Sequence, residues 1–214
     1  MIFYFSGTGN SEYLAKAIAA KTDDSVVSIT KAVREDTYTF ELSDGETLGF
    51  VMPVYFYGVP SAVLDFIEKL NIKANGYCFC ALTCGGTTAG AGRMLQKALL
   101  KKGITSNALF AVQMVDNYIP MYEISNKAEA ARKLMNAEPE IQNIAKMVSE
   151  KANGDFDTIK GTQSMTPFLY ALYKPFRKTK KFYVTDSCNG CGKCERECVC
   201  SAIEIQNGKC VWVK

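Results

Sequence analysis

The sequence predicts a doubly wound α/β domain built on a parallel sheet, followed by a small cysteine-rich module. Over residues 1–150, short apolar runs alternate with amphipathic stretches, which is the pattern of βαβ units around a parallel sheet. Six of the nine cysteines lie after residue 187, and four of these follow the spacing C-x2-C-x2-C-x3-C. We therefore divide the chain into a domain over 1–150, a connector over 151–183 and a module over 184–214.

The apolar runs predict five parallel strands, and the amphipathic stretches predict the helices between them. The predicted strands span 2–5, 26–29, 48–54, 77–83 and 109–115. The predicted helices span 11–21, 61–70, 91–101 and 127–150. Right-handed crossovers would place these helices on both faces of the sheet, giving three layers.

The connector contains an aromatic stretch over 168–173, and Thr166 before Pro167 is typical of a helix start. We expect its apolar residues to pack on one or both domains. A helix lying on a membrane surface is the alternative, disfavoured because the stretch is short and uniformly apolar.

The excess positive charge lies in the connector, which has seven basic and two acidic side chains. The whole chain has a net charge of +3. This basic run is either a solvated linker or a docking site for an acidic redox partner, since complementary charge accelerates encounter. Nucleic-acid binding is disfavoured because the sequence shows no recognised nucleic-acid-binding fold beside the run. The run comprises Lys174, Arg177, Lys178, Lys180 and Lys181.

Composition excludes several classes of function. With no histidine in the chain, every mechanism that uses an imidazole as base, nucleophile or metal ligand is excluded. No apolar stretch is long enough to span a membrane, and the first residues lack the basic start of a signal peptide. We expect a soluble cytoplasmic protein whose cysteines are thiols or thiolate ligands.

A glycine-rich loop follows the first predicted strand and opens the first helix. Backbone N–H groups, hydroxyls and the helix N-terminus would together bind a phosphate. The candidate phosphate-binding residues are Ser6, Thr8, Gly9, Asn10 and Ser11. The loop lacks the Gly-Lys-Ser/Thr of a Walker loop, the third glycine of a dinucleotide fingerprint, and the cysteine and arginine of a phosphatase loop. A helix cap without a ligand is the alternative.

Two further loops follow predicted strands, at the edge where open α/β sheets bind ligands. In the first, three consecutive aromatic residues cannot all enter one core, so at least one is free to stack on a flat ligand. Its candidate residues are Pro53, Tyr55, Phe56, Tyr57 and Gly58. In the second, glycines allow a planar edge to approach the backbone. Its candidate residues are Thr83, Cys84, Gly85, Gly86 and Thr87. Either loop alone could be an ordinary turn, but with the phosphate loop they predict a site for flavin mononucleotide (FMN).

The cysteine run Cys188, Cys191, Cys194 and Cys198 has the spacing of bacterial 4Fe–4S ferredoxins. Zinc is the alternative metal, although structural zinc sites usually use two separated C-x2-C pairs. After the run, residues 202–206 and 209–213 predict a hairpin on a type I′ turn at Asn207-Gly208. In two-cluster ferredoxins the fourth cysteine of a run serves the other cluster. The fourth ligand could therefore be Cys198, Cys200, Cys210 or a residue of a further segment, or the cluster could be held by three cysteines alone.

The remaining cysteines do not predict catalysis. Cys84 has no base nearby in sequence to activate it, and Cys78 and Cys80 alternate along a strand as packing residues do.

Taken together, these motifs resemble the EFR1-type flavodoxin–ferredoxin fusion family over nearly the whole chain. The resemblance rests on the Ser6–Ser11 loop, Pro53-Val-Tyr55, the Thr-Cys-Gly-Gly of residues 83–86, the Asn-Tyr-Ile of residues 117–119 and the cysteine run. It implies a flavodoxin-like sheet of order 2-1-3-4-5 and electron transfer between flavin and iron–sulfur centres. Val199 departs from the usual proline, and the missing second cysteine run suggests a fragment or a shortened variant.

We therefore predict an electron-transfer protein in which FMN and at least one 4Fe–4S cluster exchange electrons, with a redox protein as partner. Two alternatives stay open. The first is a flavin-dependent reductase of a small substrate, fed by the cluster. The second is a binding module that carries zinc and a phosphorylated ligand without redox chemistry.

Overall fold

The structure is a computed structural model that describes residues 1–43, 45–74, 76–116, 118, 126–164, 166–173, 179, 182–198 and 200–213. The strands are β1 Ile2–Tyr4, β2 Val26–Ser28, β3 Leu48–Pro53, β4 Cys78–Cys84, β5 Ala108–Gln113, β6 Gly154–Asp155, β7 Ile203–Gln206 and β8 Lys209–Trp212. The helices are α1 Asn10–Thr22, α2 Ile29–Arg34, α3 Ser61–Lys69, α4 Ala91–Leu100, α5 Lys127–Ser149, α6 Thr166–Ala171 and α7 Lys193–Glu197.

The main sheet is parallel and has the order β2-β1-β3-β4-β5-β6. Its first five strands match the predicted ones, but the prediction of a five-stranded sheet is wrong, because β6 adds a sixth strand. The two residues of β6 pair with Ala108 and Leu109. So short a strand carries no apolar run that a sequence pattern could reveal. The sheet thus extends into the segment predicted as a connector.

Helices cover both faces of the sheet, and each face has its own core. On one face α2, α3 and α4 pack with Phe3, Phe50 and Phe66 as buried residues. On the other, α1 and α5 pack around Ile2 and Phe110. Side chains alternate between faces along a strand, so the neighbours Ile2 and Phe3 enter opposite cores. This alternation fixes the register of the central strands and the position of the loops that follow them.

Two short helices were not predicted. In α2 the Ser28 side chain caps the first turn by accepting from the Lys31 N–H at 3.3 Å. Only Ile29 and Ala32 of α2 are buried, which is too few for a periodic pattern. Helix α7 has five residues and, among its described residues, buries none, so the sequence carries no apolar signal for it.

The predicted helix start in the connector and the predicted turn in the module agree with the structure. Helix α6 begins at Thr166, as the sequence indicated. Strands β7 and β8 pair antiparallel across Asn207 and Gly208, whose φ values of 51° and 72° are those of the predicted type I′ turn. The basic run from Lys174 to Lys181 lies outside the described residues. Within the described part of the chain, no helix is both long and apolar enough to cross a membrane.

Candidate functional site

The candidate site lies at the carboxyl edge of the sheet. Strand β1 is flanked by β2 on one side and β3 on the other, so the chain reverses its direction of winding between β1 and β3. Open α/β sheets bind ligands in the crevice outside such a reversal. The loops that follow β1, β3 and β4 all emerge at this edge, which brings the three predicted loops together.

The loop after β1 presents its backbone outward. Thr8 and Gly9 are exposed, and Gly9 has a φ of 103°, a left-handed conformation that glycine adopts readily. The Gly9 N–H donates to Ser6 Oγ at 3.1 Å, and the Asn10 side-chain amide donates to the Val115 carbonyl at 3.0 Å. The N-cap residue of α1 is Gly9, which has no side chain to cap the first N–H groups of the helix. The positive end of this helix therefore faces the loop.

Ser11 occupies a different position from the other candidates in this loop. Its side chain is buried, and its hydroxyl shares a 2.8 Å hydrogen bond with the Thr83 hydroxyl at the end of β4. The Ser11 hydroxyl therefore connects the first loop to the third, while its backbone N–H belongs to the first turn of α1. Pro53, the last residue of β3, lies in register with Thr83 across the sheet.

The aromatic loop after β3 is a tight hairpin turn. Tyr55 and Gly58 exchange two backbone hydrogen bonds of 2.9 and 3.0 Å. The residues between them, Phe56 and Tyr57, have φ values of 48° and 64°. Bulky side chains rarely adopt this left-handed conformation, so surrounding contacts must hold the turn. The Tyr57 ring is 39% exposed, which makes it the outward-facing ring of the three.

Tyr55 leans from this turn towards the first loop. A Cβ added to Gly7 would lie 3.1 Å from the Tyr55 hydroxyl oxygen, so the two loops are in contact. Burial, followed by the neighbouring Tyr173 and Cys200, raises the pKa of Tyr55 to about 12. Tyr55 is therefore a neutral phenol at ordinary pH, and it places no negative charge beside the phosphate loop.

The loop after β4 combines a buried thiol with an open backbone. Burial, followed by the negative charge of Asp157, raises the pKa of Cys84 to about 12, so this cysteine is a protonated thiol. A Cβ on Gly85 would lie 2.5 Å from the Asp116 side chain. Gly86 is exposed, and a Cβ there would meet nothing within 4 Å. A flat molecule could therefore approach the backbone at Gly86.

The chain after β6 supports the β4–α4 loop from behind. The Thr87 hydroxyl donates to the Ile159 carbonyl at 2.8 Å, and the Thr88 hydroxyl donates to the buried Asp157 carboxylate at 2.5 Å. The Thr87 hydroxyl is thus engaged within the protein. Sequence analysis missed Asp157 because its role depends on the unpredicted strand β6.

Helix α6 covers the aromatic turn. The Tyr170 hydroxyl donates to the Val59 carbonyl at 2.6 Å. The Tyr173 ring lies 6.4 Å from the Tyr55 ring and 5.6 Å from the Phe56 ring, centroid to centroid. Tyr118, between residues that are not described, contacts the edge of Phe56 at 5.5 Å. The aromatic stretch of the connector was the signal in the sequence for the contacts of Tyr170 and Tyr173.

The cysteine run begins in the loop before α7, continues through Cys194 in that helix and ends at its C-cap, Cys198. Two backbone N–H groups, from Gly190 and Cys210, lower the pKa of Cys188. The Cys198 sulfur accepts the Ala202 N–H at 3.2 Å. Such N–H···S hydrogen bonds favour thiolates and are usual around thiolate metal ligands.

Cys210 of strand β8 lies beside the run. Burial and a hydrogen bond with Cys194 raise the pKa of Cys210 to about 11, and Cys188 and Cys198 also contribute. Cys191 and Cys194 are exposed. Over the described residues, no three Cys, Asp or Glu side chains are gathered at metal-binding separation. The donor chemistry fits a thiolate site, although these sulfur atoms are not arranged around a common centre.

A surface depression lies away from this site. It has a volume of about 500 Å³ and is lined by the end of α1, Glu46, Thr47 and the end of α5, at the opposite edge of the sheet.

The parallel sheet with its winding reversal at β1, and a neutral glycine-rich loop opening α1, define an α/β protein of the flavodoxin-like class. The family described as "Flavodoxin domain" matches residues 1–139, and the chain belongs to this family. Of the curated proteins compared, none matches the chain.

Solved structures that are similar to this chain include the following three proteins. The first is a putative flavoprotein from Bacteroides uniformis ATCC 8492, with 16% identity, TM-score 0.43 and coverage of 62% of this chain and 95% of that one. The second is an FMN-dependent NADH-azoreductase from Bacillus anthracis str. Ames Ancestor in complex with FMN, with 10% identity, TM-score 0.40 and coverage of 69% and 98%. The third is rubredoxin oxygen:oxidoreductase from Desulfovibrio gigas, with 16% identity, TM-score 0.35 and coverage of 70% and 36%.

Proposed function

We propose that this protein is an electron carrier that binds FMN at the carboxyl edge of its sheet and a 4Fe–4S cluster in its cysteine module. The observation that carries the proposal is the meeting of three loops at the winding reversal. One loop has exposed backbone beside a helix N-terminus, the second an exposed tyrosine ring, and the third an open glycine. These are the elements that a phosphate and a flat ring system require.

The phosphate of FMN would be held by neutral donors. The exposed loop at Thr8 and Gly9, together with the first N–H groups of α1, offers hydrogen bonds and the positive end of a helix dipole. The loop from Ser6 to Ser11 contains no lysine or arginine. A phosphate dianion bound only by neutral groups keeps its negative charge close to the ring system.

The ring system would lie between the second and third loops. The Tyr57 ring is available for stacking, and the space at Gly86 allows a planar edge to reach the backbone. FMN, when bound, supplies redox chemistry in steps of one or two electrons. The protein residues bind and orient it, and the protonated Cys84 thiol supplies no nucleophile.

Cys188, Cys191, Cys194 and Cys198 would provide thiolate ligands for the cluster. Their spacing is that of bacterial 4Fe–4S sites, and the N–H groups directed at Cys188 and Cys198 would stabilise bound thiolates. A cluster transfers one electron at a time, so a protein that contains both FMN and a cluster could link two-electron reactions to one-electron reactions. An acidic redox partner that docks on the basic run completes this proposal.

Anaerobic purification followed by visible spectroscopy and iron, sulfide and zinc analysis tests the cofactors. We expect flavin absorption bands, a broad iron–sulfur shoulder, and iron and sulfide in equal amounts. Substitution Cys191→Ser should remove or destabilise the iron–sulfur signal, whereas Cys84→Ala should preserve it. A colourless protein that contains zinc would contradict the proposal and favour a zinc-binding module.

Turnover measurements separate a carrier from a reductase. The chemically reduced protein is offered ferredoxin-type acceptors and, separately, quinones and azo dyes as small organic acceptors. A carrier should pass electrons to the protein acceptors. Turnover with a small acceptor, and none with any protein acceptor, would instead favour the flavin-dependent reductase.

A further inference from the structure

Arg34, the last residue of α2, reaches from the flavodoxin domain to the cysteine module. Its guanidinium donates hydrogen bonds to three backbone carbonyls, those of Glu195, Arg196 and Cys198, with the bond to Glu195 measuring 3.3 Å. The side chain lies on the exposed surface of α2. One arginine thus connects parts of the chain more than 160 residues apart.

The three carbonyls lie at the end of α7. The last carbonyls of a helix carry the negative end of the helix dipole. Two of these carbonyls also accept a backbone hydrogen bond, Glu195 from the Cys198 N–H at 3.4 Å and Cys198 from the Ser201 N–H at 3.2 Å, so Arg34 is a second donor to each. A guanidinium offers five donors in a rigid fork and can satisfy several carbonyls at once, which a lysine ammonium does not reproduce. Cys198, one of the three acceptors, is also a member of the cysteine run.

The module to which α7 belongs is internally connected. The Glu195 carboxylate accepts the Ile205 N–H at 3.2 Å, and the Arg196 guanidinium donates to the Cys191 carbonyl at 3.0 Å. The Trp212 ring stacks on Phe182 at 5.7 Å. A contact that fixes α7 therefore fixes the cysteine run and the hairpin with it.

The docked module also lies near the candidate flavin site. Cys200, two residues beyond the Cys198 carbonyl that Arg34 binds, interacts electrostatically with the Tyr55 hydroxyl in the β3–α3 loop. Tyr55 in turn lies against the loop after β1. The segment just after α7 is therefore within electrostatic range of the β3–α3 loop.

We propose that Arg34 is a positioning residue that latches the cysteine module onto α2 through the carbonyl end of α7, and thereby holds the module beside the β3–α3 loop. Its consequence for electron transfer rests on the function proposed above. With this contact intact, a module that holds a cluster would keep a fixed position relative to FMN bound at the three loops, and the pair would exchange single electrons. Without this contact, we expect the module to lose its fixed position relative to α2.

The only tryptophan of the chain, Trp212, lies in the module and provides a reporter without labelling. Time-resolved fluorescence anisotropy of Trp212 in the full chain measures whether the module rotates with the domain. In the wild type we expect the slow rotation of the whole 23.6 kDa chain. In Arg34→Ala we expect a several-fold faster component to appear, and Arg34→Lys should restore the slow rotation only in part.

Lys31→Ala is the matched control. Lys31 lies on the same helix, and its exposed side chain makes a 3.9 Å ion pair with Glu35, so its loss should leave the anisotropy decay unchanged. Circular dichroism of each variant checks that the sheet domain remains folded. An unchanged decay in a folded Arg34→Ala variant would overturn the latch.

A second measurement separates the latch from the proposed function. In protein that contains both FMN and the cluster, flash photolysis reduces the flavin by one electron, and the rate at which the cluster becomes reduced is measured. We expect this rate to fall at least tenfold in Arg34→Ala and to stay unchanged in Lys31→Ala. If Trp212 is released in Arg34→Ala but the wild type shows no flavin-to-cluster transfer, the latch stands and the electron-carrier function fails. A transfer rate unaffected by Arg34→Ala would overturn the positioning role.

Discussion

The Tyr170 ring lies directly over Gly58, so closely that a Cβ on Gly58 would be 2.3 Å from the nearest ring atom. The same tyrosine donates its hydroxyl to the Val59 carbonyl at 2.6 Å. Gly58 closes the turn that carries Phe56 and Tyr57 in left-handed conformations. Helix α6 therefore stabilises a strained turn in the candidate flavin site, although α6 is far from that turn in sequence.

Gly58→Ala should destabilise the protein by about 1–3 kcal/mol, because the added methyl group overlaps the Tyr170 ring. The φ of Gly58 is not left-handed, so the backbone itself tolerates alanine. Denaturant unfolding measures the effect. In a Tyr170→Ala background the same substitution should cost clearly less, since the overlapping ring is absent. Equal costs in both backgrounds would show that the ring is not the obstacle.

Tyr57→Gly should be more stable than Tyr57→Ala by about 1 kcal/mol, because glycine adopts the φ of 64° without a Cβ penalty. Both variants lose the exposed ring, so both should bind FMN more weakly than the wild type. Denaturant unfolding and fluorescence titration with FMN measure the two effects. Tight FMN binding by either variant would contradict a stacking role for Tyr57.

Ser11→Ala should cost about 1–3 kcal/mol of unfolding free energy, because it leaves the buried Thr83 hydroxyl without its 2.8 Å partner. The double variant Ser11→Ala with Thr83→Val removes both hydroxyls and should recover most of that loss. Thermal or denaturant unfolding of the four proteins completes the cycle. Additive losses in the double variant would argue against a direct bond between the two side chains.

Stability should fall as the pH rises from about 9 towards 12. Burial raises the pKa of Cys84 from its ordinary 9.0 to about 12, so the unfolded chain loses this proton first. The contribution is fully present below pH 9 and is lost as the pH passes through the folded-state value. Unfolding free energy measured across this range should decline less in Cys84→Ala than in the wild type. Cys191→Ala, at an exposed thiol, serves as the control and should decline as the wild type does.

Local patterns in the sequence predicted most of the sheet domain. Continuous apolar runs such as 48–54 and 77–83 predicted the central strands, because a strand buried on both faces needs apolar residues at successive positions. The glycine loop after β1 and the Asn207-Gly208 turn were predicted from residues whose backbone preferences are strong. The short elements α2, α7 and β6 were missed, since each forms through a cap or an edge pairing rather than a periodic pattern.

The sequence by itself determined the parallel α/β class, the three loops of the candidate site and the cysteine spacing, because these depend on residue type and local order. Only the tertiary structure decided that Ser11 faces Thr83, that Tyr170 covers Gly58, and that Arg34 reaches the end of α7. Each of these contacts joins residues more than 70 positions apart along the chain. The packing of whole helices and strands determines which of these residues meet, and no local pattern of residues specifies that packing.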